Sequence, residues 1–189
     1  MALDYCEVQY KFVVPKNTKH TSYDYQKLFR AIYGYTQNVT KTHKTYRYHR
    51  KGILSNYPYF HSGKNSVLIP KEALSILTDY FSTGKNPSHA WRSKGNWKVT
   101  YYINQKHIEE DALAKAVEGL LDRTYIKTKE NGYKKIEELL TGNSQTQGEQ
   151  TQIIDVVKKI TEASWFKACY ALSSRLASFY SNGQKISLQ

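Results

Sequence analysis

Residues 6–14, CEVQYKFVV, alternate strictly. Cys6, Val8, Tyr10, Phe12 and Val14 fall on one side and Glu7, Gln9 and Lys11 on the other, the period-two pattern of a half-buried strand. Pro15 ends the strand, and the basic polar turn KNTKHT, with Lys16, Asn17, Lys19 and His20, leads to Ser22. Ser22 is an N-cap for a helix reaching about residue 37, whose apolar stripe is Tyr25, Leu28, Phe29 and Ile32; Gly34 weakens its last turn. The run KTYRYHRK at 44–51 combines strand-favouring Thr and Tyr with a basic row and predicts a second strand, closed by Gly52 and followed by a long loop over 52–64. SVLI at 66–69 is a short buried strand. Pro70 suits the first position of a helix to about Phe81, with Ala73, Leu74 and Leu77 inward. After a loop over 82–95, Trp97, Val99, Tyr101 and Ile103 alternate with Lys98, Thr100 and Tyr102, predicting a strand at 96–103.

The order β-α-β-β-α-β is that of the split βαβ, or ferredoxin-like, arrangement. The expected class is therefore α+β: a four-stranded antiparallel sheet with two helices on one face and the other face open to a ligand. From residue 107 the period changes to helical, with Ile108, Leu113, Ala116, Val117, Leu120 and Leu121 on one stripe. A shorter helical stretch, GYKKIEELL, follows. The run TGNSQTQGEQTQ at 141–152 reads as a polar linker, and a last helix is expected over about 152–181. The division that follows is a basic ferredoxin-like domain over 1–106 and a helical extension over 107–189.

Charge sharpens that division. Residues 1–106 hold 17 Lys and Arg against 5 Asp and Glu, whereas residues 107–189 hold 11 of each, so all of the net +12 falls in the first part. Thirteen of the 17 tyrosines and all six histidines lie by residue 107 as well. A basic, aromatic-rich half points to a polyanion, with RNA or single-stranded DNA the expected partner. The neutral half, with apolar stripes on its helices, is expected to pack against protein, either a partner or a second copy. Cys6 and Cys169 are far apart and in no metal-ligand spacing, so neither a disulfide framework nor a zinc site is expected, and no cofactor is implied. No leader pattern and no window of 18 apolar residues is present, which points to a cytoplasmic chain without a membrane anchor.

The densest basic and aromatic stretch runs from Lys41 to Lys64. Lys41, Lys44, Arg47, Arg50, Lys51 and Lys64 supply charge for phosphates, and Tyr57 and Tyr59 supply flat rings for unpaired bases. Tyr46 and Tyr48 admit two readings. Either they stack on bases, or they are the core face of their strand, leaving Arg47, His49 and Lys51 as an outer row. A second loop adds Lys85, Trp91, Arg92 and Lys94. His43, His49 and His61, with Lys51 and Tyr59, are residue types suited to metal-independent RNA cleavage, the weaker alternative. Metal-dependent cleavage lacks paired acids, because Asp4, Glu7, Asp24, Glu72 and Asp79 are the only ones in the basic half. No phosphate-loop, dinucleotide, zinc-protease or serine-hydrolase motif occurs.

The strand order resembles the fold shared by RNA-recognition motifs and by the repeat-associated RNA-binding proteins of CRISPR complexes. The resemblance is one of fold: KGILSNYPYF at 51–60 has Ile-Leu-Ser where the RNA-recognition motif carries aromatic and small residues, and a glycine-rich loop near the C-terminus is lacking. It names no family; beside a free-standing RNA- or single-stranded-DNA-binding module, the alternative is a non-catalytic subunit of a larger ribonucleoprotein, for example a CRISPR-type complex.

Overall fold

The computed structural model describes residues 3–85, 97–129, 132–142 and 146–187, and among these it has eight strands and seven α-helices. The class is α+β, with two four-stranded sheets. Two compact units result, and they are not contiguous in sequence. The first comprises residues 4–35 and 50–107; the second comprises 36–49 and 108–189 together with residues 1–3. Among the described residues no helix is long and apolar enough to cross a membrane.

In the first unit, β1 (Leu3–Val13) is the alternating strand, with Cys6, Val8, Tyr10 and Phe12 buried. Helix α1 (Tyr23–Tyr33) starts at Ser22, whose hydroxyl accepts from the Tyr25 N–H at 3.3 Å, and stops at Gly34. Next in this unit come β4 (Phe60–Gly63), β5 (Ser66–Pro70), α2 (Leu74–Thr83) and β6 (Lys98–Ile108), and the sheet order is β4-β5-β1-β6. Strands β1 and β5 are antiparallel from Tyr5 opposite Pro70 to Gln9 opposite Ser66. The core joins the inner face of β1 to Leu28 and Ile32 of α1, Val67 and Ile69 of β5, and Leu77, Tyr80 and Phe81 of α2. Each such aliphatic or phenyl side chain contributes roughly 1.5–3 kcal/mol on burial. The fully buried phenol of Tyr80 needs a partner, and it donates to the Leu28 carbonyl at 3.1 Å.

The second unit begins with a hairpin of β2 (Tyr35–Lys41) and β3 (Lys44–Arg50). Its remaining elements are α3 (Glu110–Arg123), β7 (Tyr125–Thr128), β8 (Gly132–Lys135), α4 (Ile136–Thr141), α5 (Gln147–Thr161), α6 (Ser164–Lys167) and α7 (Ser174–Ser187). The sheet order is β2-β3-β8-β7, with β3 parallel to β8. Helix α5 opens on a capping box in which Thr146 and Glu149 bond each other's backbone N–H groups. Glu149 also accepts from the Lys129 N–H at 3.0 Å, and these hydrogen bonds, those from Thr146 first, hold its carboxyl below the usual range.

These elements correct the strand assignment of the expected βαββαβ reading, in which strands within residues 1–106 form one four-stranded sheet. The strand at 44–50 exists, but it pairs with β8 in the second sheet, because the preceding residues 35–41 extend as β2 rather than continuing α1. Strand β4 lies inside the stretch read as a loop. The helical half carries two strands, and its last helix is three pieces, α5, α6 and α7, interrupted near Ala163 and Ser173. Both cysteines are buried free thiols, and burial pushes Cys169 up to about 12.

A charge network ties the second unit's helices. Arg175 of α7 donates through Nε to Glu137 of α4 at 2.9 Å and through Nη2 to Asp122 of α3 at 2.9 Å, while Lys135 donates to Asp122 at 3.2 Å. The Arg175 hydrogen bond holds the Asp122 carboxyl below its ordinary value. A depressed carboxylate adds stability above its unfolded pKa of about 3.9 and loses it as pH falls through the folded value. Asp122 is half exposed, so screening keeps the effect small. We expect Arg175→Ala to cost about 1–2 kcal/mol at pH 7 and progressively less as pH falls below the ordinary carboxylate range, read from urea melts over an acid pH series.

Candidate nucleic-acid interface

Alternation along β1 sends Glu7, Gln9 and Lys11 to the side of the first unit's sheet opposite its core. On the edge strand β6 the same parity divides the residues. Tyr101 packs on Phe81 at 5.2 Å and Trp97 packs on Phe12 at 5.6 Å, so the intervening Thr100 and Tyr102, with Lys106, take the opposite side. Tyr102 is 70% exposed. Lys106 lies 3.7 Å from Glu7, which also accepts from the Ser66 hydroxyl at 3.3 Å, so the carboxylate on this face is already engaged.

Strand β5 stops pairing at Ser66 opposite Gln9, and the Tyr10 N–H donates to the Asn65 carbonyl at 2.9 Å. Beyond that point β1 runs on without β5 beside it. A hollow of about 760 Å³ opens there, lined by Lys11, by Lys64 and Asn65 of the β4–β5 turn, by His20 and Tyr25, and by Thr100 and Tyr102. His20 and Tyr25 are stacked, with centroids 4.5 Å apart and planes 9° off parallel. The hollow, whose lining also includes Glu7, therefore offers cations, a stacked ring pair and a solvent-facing tyrosine within one unit. That unit carries 14 Lys and Arg against 5 Asp and Glu, a net +9. Phosphates are attracted by such a field, and a free phenol face is a stacking platform for an unpaired base.

The Lys41 to Lys64 stretch is divided between the units. Lys41, Lys44 and Arg47 lie on the hairpin of the second, while Arg50, Lys51, Tyr57, Tyr59 and Lys64 belong to the first. On β3, Tyr46 and Tyr48 face outward, 37% and 42% exposed, and His49 is buried at 8%. The core reading of those two tyrosines is thus inverted. His49 shares a hydrogen bond with the Thr36 hydroxyl at 3.1 Å and packs on Tyr125 at 4.7 Å, while the Arg47 guanidinium sits 5.7 Å over the same Tyr125 ring. Tyr125 thus covers Arg47 and His49 on one side of β3, and Tyr46 and Tyr48 are left to solvent beside Lys44. Tyr59 is buried and Tyr57 is half-buried against the core. Arg50, Lys64 and Lys85 are exposed and Lys51 is half-buried. Trp91, Arg92 and Lys94 lie outside the described residues.

The three histidines suited to cleavage do not converge within a unit. His43 forms the β2–β3 turn and His49 lies six residues farther along, about 20 Å for an extended strand. His61 is in the first unit, against Tyr33 at 4.6 Å. Among the described residues no group of three His, Cys, Asp or Glu could hold a metal ion. The turn itself is strained at Thr42: Thr42 and His43 have φ of 46° and 67°, the left-handed pair of a type I′ turn, which a β-branched residue favours poorly. Thr42→Asn with His43→Gly should stabilise the protein by about 1 kcal/mol in a thermal melt.

Composition and motif spacing do not single out Lys11, His20, Tyr25, Tyr102 and Lys106 as binding residues. Their signal is the polar parity of the first and last strands of the basic half, which places Lys11 and Tyr102 away from the core. No family model, curated protein or solved structure matches the chain.

Proposed function

We propose that the protein binds single-stranded nucleic acid, RNA or DNA, across the open face of the first unit's sheet, with phosphates at Lys11, Lys64 and Lys106 and a base stacked on Tyr102. The observation that carries this is the 760 Å³ hollow, where cations and rings from separate segments line one surface of a strongly basic unit. Sheet-borne rings with flanking cations suit unpaired bases, whereas the major groove of a duplex takes a helix or two-stranded ribbon.

With the β2–β3 hairpin set aside, the first unit reads β1-α1-β4-β5-α2-β6. In the order β4-β5-β1-β6 each helix connects strands that flank a third, as in a split βαβ unit. The first unit is then a ferredoxin-like module interrupted by a hairpin that extends into the other sheet. Lys41, Lys44, Tyr46 and Tyr48 on that hairpin form a further basic aromatic surface, and the helical second unit is the part that would contact protein partners in a larger ribonucleoprotein.

The test is fluorescence anisotropy of a labelled single-stranded 12-mer, with chelator present, over a salt series. Three phosphate contacts give a slope of about −2 in log K against log salt. A slope near zero, or no binding at low salt, would overturn the proposal.

A further inference from the structure

A second hollow, of about 450 Å³, lies in the same unit beside the β1–α1 connection. Its apolar walls are Pro15, Leu28, Tyr25 and Trp97, and its polar lining includes Asn17 and Asp24. The walls are held from behind. The Trp97 ring meets Phe12 and Tyr80 at 5.6 and 5.8 Å, Leu28 is buried, and Tyr25 is tilted against Phe29 at 5.3 Å. The connection is pinned by two turns, in which the Thr18 N–H donates to the Pro15 carbonyl and the Ser22 N–H to the Lys19 carbonyl, both at 2.9 Å.

Tyr25 lines both hollows, and its stacking partner His20 lines the larger. The two differ in chemistry. The larger offers Lys11 and Lys64 to phosphates. The smaller combines flat apolar walls with the carboxylate of Asp24, which accepts hydrogen bonds, and with Lys19, whose charge offsets it. A group suited to it is flat, uncharged and rich in N–H donors.

We propose that this second hollow is a base-reading pocket, which takes one unpaired base of the strand bound in the larger hollow and favours bases bearing an exocyclic amine. This rests on the nucleic-acid reading above. Walls of Trp97, Tyr25 and Pro15 supply stacking surface for any base, and Asp24 supplies discrimination, because an exocyclic amine donates to a carboxylate while the corresponding uracil carbonyl faces it with another acceptor. Cytosine and uracil have the same ring size and differ at that position, so they isolate the effect from stacking strength.

Anisotropy titrations with labelled eight-residue oligocytidine and oligouridine RNAs test it. The wild-type protein should bind the cytidine strand at least ~10-fold more tightly, the scale of one well-made hydrogen-bonded base contact. Asp24→Asn, whose amide both donates and accepts, should bring the ratio below ~3 with oligouridine affinity unreduced and the melting curve two-state. Equal wild-type affinities, or a ratio unchanged in Asp24→Asn, would overturn the pocket while leaving the binding surface standing. Failure of both strands to bind at low salt would overturn the pocket and the nucleic-acid reading together.

Discussion

Gly52→Ala should unfold the first unit or cost about 4 kcal/mol or more, the range reserved for a substitution the fold cannot absorb. A Cβ on residue 52 would lie 2.1 Å from the Gly34 nitrogen, 2.5 Å from the Ile32 oxygen and 2.6 Å from the Tyr33 carbonyl carbon. All three are backbone atoms at the end of α1, so no side chain can swing aside. The segment cannot retreat either. Just past the crossing, the Ile53 and Leu54 N–H groups donate to the carbonyls of Ala31 and Ile32 at 2.9 Å, and the Gly52 N–H donates to the Ser55 hydroxyl at 2.8 Å. Ile32 and Leu54 are fully buried beside these bonds. The crossing is where the chain leaves for the hairpin and re-enters the unit, so separating it would open the core around α1. Gly148→Ala is the control: nothing lies within 4 Å of its Cβ, and in the first turn of α5 it should stabilise by up to about 1 kcal/mol. Urea melts of the two variants make the comparison, and near-equal effects would show that the crossing is looser than its distances imply.

Lys11→Glu combined with Lys64→Glu should weaken binding of a single-stranded 12-mer by about 100-fold at low salt. Two unit charges about 4 Å apart in water interact by about 1 kcal/mol, and each reversal exchanges an attraction for a repulsion. Two reversals total about 4 kcal/mol before ionic screening, which leaves roughly 2–3 kcal/mol, or two orders of magnitude in affinity. The salt slope should flatten by about 0.7 for each phosphate that is no longer neutralised. A matched control separates this site from the overall field. Lys159→Glu with Lys167→Glu makes the same change in net charge on exposed residues of α5 and α6 and should alter affinity less than about threefold. Equal weakening in the two variants would mean that the strand is held by diffuse charge and not in the hollow.

Legibility in the sequence follows the strength of local periodicity. β1 is readable because its alternating positions face either a packed core or water, β6 because Val99 and Tyr101 reach that core while Tyr102 faces water, and α1 announces itself through Ser22, whose cap is made as its position suggests. The hairpin is not readable as part of another sheet. Thr42 and His43 are unusual residues for a two-residue turn, and β2 is polar along most of its length, so nothing local marks it as a strand. Strand 44–50 is recognisable, yet alternation reports which residues share a side and not which sheet they join. Its inner side is the one with His49 and Arg47, because Tyr125 and Tyr133, some 80 residues away in sequence, supply the rings that cover His49. β4 spans four residues, too few for a period. The break between α5 and α7 is hidden because Trp165, Cys169 and Leu176 keep an apolar stripe running through it. The charge asymmetry, by contrast, is fully visible. What folding adds is its address: the three cations Lys41, Lys44 and Arg47 travel with the hairpin, leaving +9 on the unit that holds the hollows.

The most direct test is photo-crosslinking of the full-length protein to a 12-mer carrying 5-iodouridine at every third position, with crosslinked peptides identified by mass spectrometry. Binding across the open face of the first unit predicts crosslinks at Tyr102 and at the His20–Tyr25 pair. Crosslinks confined to the helices of the second unit, with none on β6 or the β1–α1 connection, would contradict it.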